Sequence, residues 1–434
     1  MEKAVIAKLY KRFMWYLILL FFCTVIDRIN IGFAALQMNR ALGIGHAVFG
    51  LAASAFSAGY LLFDVPSNVL MHKIGARGWI GRIMIVWGAI TMAMCLVGGT
   101  TGLMGLRFLL GCAEAGFLPG ILFYLGYWFP NEHRARANAV LLIAMPVSQT
   151  VASLLASAIF KLDGFHGVAG WKWFFLIEGA LTVIVGISAL LYLTDRPAKA
   201  AWLRQDERDW LEGRLAAEAN SLNKKEEASI WRVFTNRKVL ALGLVYLFLD
   251  IPLTAIPVWL PQIVRGFGVS ISTAGLLASI PPLLGACFMI FWSRRSDMRK
   301  ERTWHLASAM LLCALGWTVT AIGTGNPYVT ICGVVLANAG ILAALSIFWS
   351  IPPMLLKGAS AAVAIGLITA MGNVGSMIAP AVIGYARDIT GTFQGAFSGL
   401  AVIATLAAIL VIVISRGSGS SGKGIQLKRS ASNR

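Results

Sequence analysis

Five ionisable side chains stand far from any polar stretch of this 434-residue chain: Asp27 and Arg28 side by side, Arg107 and Glu114 seven residues apart, and Asp250. Each falls inside an apolar run, where a charge at bilayer depth costs about 2.5 kcal/mol or more unless it meets a cavity or a partner. On a helix Asp27 and Arg28 point about 100° apart, so each needs its own partner. Arg107 and Glu114 lie about two turns, roughly 10 Å, apart on one face, which leaves room for something beside them. The simplest arrangement puts Glu114 close to Asp27 or Arg28, with Arg107 nearer the outside mouth. Carboxylates beside arginines in a low-dielectric site can exchange a proton with water and hold an anion, because burial favours the neutral acid and a nearby guanidinium the ionised one. Proton-plus-anion chemistry is the expectation, set against a buried ion-pair network that only orients helices. Asp250 is an additional candidate, although the helix-breaking Pro252 and Pro257 behind it could free carbonyls that need accommodation. Asp64, Glu178 and Asp297 read as lying nearer the interfaces.

Apolar residues make up 58% of the chain and charged residues 13%, against about 25% charged in an ordinary soluble protein. This excludes a soluble enzyme and a disordered chain, and it predicts a bilayer protein. Twelve stretches approach the roughly 20 apolar residues that a spanning helix needs, which favours a helical bundle over a β-barrel. They run roughly over 13–37, 47–70, 79–98, 103–127, 137–160, 173–194, 239–263, 271–293, 303–323, 327–348, 359–385 and 393–415. The stretch from Phe13 continues at spanning length with no small-residue cleavage site, so it is expected to stay as the first span. With the N-terminus inside, 30 Lys and Arg fall on inner segments and five (Arg40, Lys161, Lys172, Arg265, Arg387) on outer ones. That asymmetry sets the orientation by the positive-inside rule, with both termini cytoplasmic and the inner (plasma) membrane as the location. The net charge of +18 is thereby topological, and no nucleic-acid partner is expected.

An offset of 225 residues aligns the chain with itself: Arg40 meets Arg265, Gly43 meets Gly268, Gly50 meets Gly275, Ser54 meets Ser279, Arg77 meets Arg302 and Trp79 meets Trp304. The expected fold is all-α, with twelve transmembrane helices in two pseudo-symmetric six-helix bundles. Residues 1–194 form the N-terminal bundle, 195–238 a cytoplasmic linker, 239–415 the C-terminal bundle and 416–434 a disordered cytoplasmic tail. Duplicated bundles of this kind hold substrate near the midplane between the halves and work by rocking one against the other. Under the offset Asp27, Arg28, Arg107 and Glu114 pair with the neutral Pro252, Leu253, Cys332 and Ala339. In the linker, Trp202, Leu203, Trp210, Leu211 and Leu215 keep a near-helical period amid charges, which predicts a short amphipathic helix at the inner membrane face. The six cysteines fall singly inside spans and read as small core residues, with no disulfide, metal or cofactor expected.

Several runs resemble the anion:cation symporter family within the major facilitator superfamily, which includes tartrate, phthalate and sugar-acid permeases. They are Asp27-Arg28-Ile29-Asn30-Ile31-Gly32-Phe33-Ala34, Val65-Pro66-Ser67-Asn68, Gly75-Ala76-Arg77 and Arg107-Phe108-Leu109-Leu110-Gly111-Cys112-Ala113-Glu114-Ala115-Gly116-Phe117. Tyr127-Trp128-Phe129-Pro130, the stretch from Gly170 to Gly179, Asp195-Arg196-Pro197 and Trp259-Leu260-Pro261-Gln262-Ile263 match too. The resemblance implies proton-driven symport of an organic carboxylate by a monomer embedded in lipid. It implies Asp27 and Glu114 as protonatable carboxylates, Arg28 and Arg107 as substrate and coupling arginines, and Tyr60, Trp349 and Asn373 as substrate contacts. Arg77 and Asp297 fall at the inner gate, while His72 stands where the superfamily usually has Asp. Val25 replaces a common aromatic, and Asp250 has no general family counterpart.

A drug/proton antiporter of the same superfamily typically carries a Gly-rich, Pro-ended motif in its fifth span; here that span reads Ala144-Met145-Pro146-Val147-Ser148-Gln149. An organophosphate antiporter would clamp phosphate with one arginine from each half, and the second half has no deep arginine. No HExxH, GxSxG or Walker lysine loop supports a membrane enzyme, and the duplication predicts alternating access instead of a fixed active site.

Overall fold

The computed structural model describes residues 1–223, 231–355 and 360–417. Twelve helices among them are long and apolar enough to cross a membrane, and no strand occurs in the described residues. The expected tail lies outside the described residues from 418 onward. Exposed apolar side chains along the spans, among them Ile184, Leu191, Val402 and Val413, suit lipid better than water.

The chain divides into two compact units, one of Met1–Glu226 with Pro257–Ser279 and the other of Glu227–Ile256 with Ile280–Arg434. In the first, α1 (Glu2–Leu9) runs through a π-helical turn into α2 (Trp15–Leu42), followed by α3 (His46–Ile74) and α4 (Ala76–Ala93). The fourth span is two helices, α5 (Thr100–Glu114) and α6 (Phe117–Trp128), and α7 (Asn131–Ile159) and α8 (Gly170–Tyr192) complete the set. Three pairings position the site: α3 along α5, α4 along α8, and α2 against both α7 and α8. Phe13, Tyr124 and Trp128 form an aromatic plug near the first end of α2, with rings 4.6–5.5 Å from that of Phe13.

The linker helix α9 (Gln205–Asn223) belongs to this unit. Apolar residues in and just before it turn toward protein: Leu203, ahead of α9, and Leu211 within it are buried with Phe13 and Trp128, and Trp202 stacks on Trp128 at 5.4 Å. Ionic contacts add to this, from Lys8 to Glu207 at 2.6 Å and between Arg214 and Glu132. A helix occupies much of the stretch where one was expected; Trp202 and Leu203 precede it, Leu211 is buried against the bundle, and Trp210 and Leu215 are half-buried.

The second unit takes up the short α10 (Trp231–Phe234) and the first part of α11 (Arg237–Arg265), while α12 (Ile271–Ala278) packs on α7 in the first unit. It continues with α13 (Ile280–Arg299), α14 (Thr303–Ile322), α15 (Pro327–Phe348), the short α16 (Pro352–Leu355), α17 (Ser360–Thr390) and α18 (Gln394–Gly417). Within it α14 lies along α15 and α18, and α13 along α15. All six cysteines are free thiols, and the core assignment fits Cys23 and Cys313 only. Cys287 and Cys332 are exposed, because their helices turn an outer face there.

Candidate functional site

Glu114 is the last residue of α5, and the chain breaks immediately beyond it. Ala115 leaves helical geometry and Gly116 takes a φ of 82°, which favours glycine; a Cβ there would also sit 2.2 Å from Ser67 Oγ. The Ser67 hydroxyl donates to the Ala115 carbonyl at 2.6 Å and accepts from Trp79 Nε1 at 3.1 Å. A carbonyl released inside the membrane is thus satisfied, as irregular backbone at that depth requires. One turn earlier, α5 and α3 touch through backbone: a Cβ on Gly111 would lie 2.0 Å from the Phe56 carbonyl oxygen. This approach brings Arg107 and Glu114 up to the Phe56–Tyr60 face of α3.

The first unit gathers Asp27, Arg28, Arg107, Glu114 and Tyr60 into one cluster. Arg28 Nε donates to Glu114 Oε1 at 2.9 Å, and the Arg28 side chain is 43% exposed while that of Glu114 is 0% exposed. The Arg28 guanidinium lies 5.1 Å from the Tyr60 ring centre and 5.8 Å from that of Phe56. Arg107 stacks over Phe56 at 4.8 Å, within cation–π range. It is buried, and its Nε and Nη1 have no hydrogen-bond partner among the described residues. Asp27 is fully buried; its Oδ1 accepts from Thr91 Oγ1 at 2.7 Å and from Asn30 Nδ2 at 3.4 Å, and its Oδ2 has no partner among the described residues. The expectation that Glu114 meets Arg28 or Asp27 is met through Arg28.

Glu178 was expected nearer an interface. It is instead 1% exposed, eight residues into α8, and accepts from Asn30 Nδ2 at 3.2 Å. The starting residue of the helix explains the difference: α8 begins at Gly170, so Glu178 lies about 12 Å along it at 1.5 Å per residue. Asn30, Thr91, Phe56 and Ser67 join the site without having been expected as site residues. Asn30 and Phe56 had a readable signal, one turn after Asp27 and one turn before Tyr60, whereas Thr91 and Ser67 depend on tertiary packing.

In the second unit, Trp349 is half-buried with its ring 4.9 Å from that of Tyr246 in an edge-on contact. Tyr246 also faces α17, where a Cβ on Gly372 would lie 2.2 Å from its ring. Asn373 is therefore next to this aromatic pair, and its Nδ2 has no hydrogen-bond partner. Asp250, one turn after Tyr246 on α11, is 8% exposed. The two expected gate residues have local partners. The Arg77 backbone N–H donates to Asp195 at 3.1 Å and its Nε to the Leu190 carbonyl at 2.5 Å, while Asp297 pairs with Arg302.

The family model described as Major Facilitator Superfamily matches residues 17–380. The chain belongs to that superfamily. It is a membrane transporter by family, not an enzyme. A protein of Agrobacterium vitis named as a candidate tartrate transporter is 42% identical over 96% of this chain and 96% of its own length. A quinolone resistance transporter of Acinetobacter baumannii is 33% identical over 95% of each. Among solved structures, a D-xylose-proton symporter superposes with a TM-score of 0.75 at 13% identity, covering 92% of this chain and 97% of that one. This last likeness establishes the major facilitator fold alone.

Proposed function

We propose that the protein is a proton-coupled symporter that carries an organic carboxylate anion, tartrate-like, sugar-acid or aromatic, by alternating access. The observation that carries this reading is the Arg28–Glu114 pair, in which an accessible guanidinium touches a carboxylate sealed from solvent. A substrate carboxylate arriving at Arg28 competes with Glu114 for the same donors. If Glu114 takes up a proton, its claim on Arg28 weakens and the guanidinium is free to bind the substrate in a charge-assisted, bidentate manner. Anion and proton then load together, and loss of either restores the internal ion pair. A ligand shifts a conformational equilibrium only by its differential affinity, so this exchange is the step that links protonation to the state of the carrier.

Asp27 serves as a second protonatable carboxylate and Arg107 as a coupling arginine, with Tyr60, Trp349 and Asn373 as substrate contacts, Asp250 as a further polar group and Arg77 and Asp297 at the gate. The relative named for tartrate supports the substrate class. The distribution of Lys and Arg supports both termini in the cytoplasm; residence in the inner membrane as a monomer belongs to the same proposal.

The quinolone resistance relative favours a second reading, proton-coupled export of a drug. One experiment separates the two. Purified protein in liposomes is given an imposed pH gradient and a panel of hydroxy-diacids, sugar acids, aromatic acids and a fluoroquinolone. Symport predicts that an acid accumulates on the side toward which protons flow. Movement of the fluoroquinolone against the proton flow, with no acid accumulated, would replace it with export.

A further inference from the structure

We propose that Glu178 completes the coupling cluster, and that Glu178 and Asp27, joined through the Asn30 amide, hold one proton between them in the resting carrier. The proposal rests on the symport reading above for its consequence, but its argument is a count of charges and contacts. Three carboxylates, Asp27, Glu114 and Glu178, are at most 1% exposed, and they share the interior of the first unit with two guanidiniums, Arg28 and Arg107. With these five ionised they carry one uncompensated negative charge, not counting Asp64, which reaches Arg28 from a half-buried position, and a low-dielectric interior does not tolerate such an excess well. One proton restores neutrality.

The contacts say where that proton resides. Glu114 has a guanidinium in hydrogen-bond contact, which favours its ionised form. Asp27 and Glu178 have no such contact among the described residues. Their hydrogen-bond donors among the described residues are neutral: Thr91 and Asn30 to Asp27, and Asn30 to Glu178. Asn30 is fully buried, and its one Nδ2 group reaches both carboxylates. Asp27 Oδ2, Asn30 Oδ1 and Glu178 Oε2, like Glu114 Oε2, have no hydrogen-bond donor among the described residues. Buried acceptors are rarely left so, and a carboxylic acid proton is a donor that this network lacks. Beyond this pair, the titratable or charged groups that reach Glu178 are Arg107 and Glu114 from α5, and Cys23 from α2 stands near both carboxylates. The groups of α4 packed against α8 here, Gly88 and Met92, are uncharged.

In transport terms the resident proton keeps the cluster neutral before substrate arrives, which leaves the proton taken by Glu114 as the one that accompanies a carboxylate to Arg28. The test is infrared spectroscopy of the full-length protein in liposomes without substrate, read at the C=O stretching band of buried carboxylic acids. Wild type is expected to show this band at neutral pH. Glu178→Gln removes the excess negative charge and should abolish the component, Asp27→Asn should abolish the same component, and the double variant should lose no more than either single one. Should Glu178→Gln fail to fold, Asp27→Asn gives the same reading. A band that persists in Glu178→Gln, additive losses, or a band displaced by Na⁺ at constant pH would each overturn the proposal. Because no substrate is present, failure here leaves the symport reading to the uptake assay.

Discussion

At the 225-residue offset, Asp27, Arg28, Arg107 and Glu114 of the first unit face Pro252, Leu253, Cys332 and Ala339 of the second, although the helical frame around them repeats. The stretch from His46 to Ile74 is matched by that from Ile271 to Arg299, and Gly43 and Gly268, with φ of 65° and 79°, stand at equivalent turns before them. Thr91, which donates to Asp27, is matched by Gly316, where a Cβ would lie 2.2 Å from the Ala337 backbone nitrogen. The fourth span breaks at Ala115 and Gly116, whereas its counterpart α15 runs unbroken through Gly340. One half thus carries polar side chains at these positions, and the other fills them with small residues where helix packs on helix. The frame forms without the charges, so they are not what the fold requires.

The largest effect should come from Glu114→Gln. This variant cannot release Arg28 in response to a proton, and proton-driven accumulation should fall to background while substrate exchange between equal pH compartments survives. Accumulation at the wild-type level would remove Glu114 from coupling. The matching substitution in the other unit, Ala339→Ser, should leave uptake within about twofold by the usual tolerance of sites away from a network. Next in size is Arg28→Ala. A hydrogen bond to a charged group contributes about 1.5–3 kcal/mol, so substrate affinity should weaken roughly 10- to 150-fold. Equilibrium binding of the transported acid checks this, and unchanged affinity excludes Arg28 from the site.

Much of this contrast was readable before any coordinates. The spacing of apolar runs gave twelve spans because bilayer thickness fixes helix length, and the charge outliers marked Asp27, Arg28, Arg107 and Glu114 because the membrane interior makes each one costly. The partners were less legible. Seven residues separate Arg107 from Glu114 on one face, but only the Gly111 contact with the Phe56 backbone shows which helix that face meets. Glu178 was misjudged through a three-residue error in a helix start, which is the weakest part of any reading from periodicity. The break after Glu114 had a trace in Gly116 and Pro119, yet glycine and proline also occur in unbroken spans, and the deciding contact, Ser67 to the Ala115 carbonyl, joins residues 48 apart.

That break supplies a smaller test of the difference between the halves. Ser67→Ala leaves the Ala115 carbonyl without its donor, and one hydrogen bond of this kind is worth about 1 kcal/mol. The expected result is a modest fall in thermal stability with a several-fold loss of uptake, since Glu114 is held at the end of the helix that Ser67 closes. The position 225 residues on is Trp292, whose Nε1 donates to the His305 carbonyl at 3.0 Å, where the counterpart of the fourth span, α15, runs unbroken. Trp292→Phe should cost stability of similar size with little change in the pH dependence of uptake. Equal changes in pH dependence from both substitutions would mean that the break is architectural only.

The smallest effect concerns the linker, which has no counterpart in the repeat. Glu207 at the third position of α9 accepts the Arg204 backbone N–H at 3.1 Å, the reciprocal half of a helix-capping arrangement, and its other oxygen takes the Lys8 ammonium at 2.6 Å. Chiefly through the Lys8 hydrogen bond, with the Arg204 amide and charge assisting, its carboxyl is held below the usual range. A carboxyl lowered by folding contributes stability that is present above its unfolded value, about 4.3, and is lost as pH falls through the lower folded value. Docking of α9 should therefore persist through pH 4.3 and weaken only below it, read as hydrogen exchange of the α9 amides. Lys8→Ala should move that loss upward toward the ordinary carboxylate range, and Glu207→Gln should remove this component of the pH dependence while leaving the packing of Leu211 and Trp202 in place. If α9 protection falls at the same pH in wild type and Lys8→Ala, the ion pair does not hold the linker, and the apolar contacts with Trp128 and Phe13 alone dock it on the charged unit.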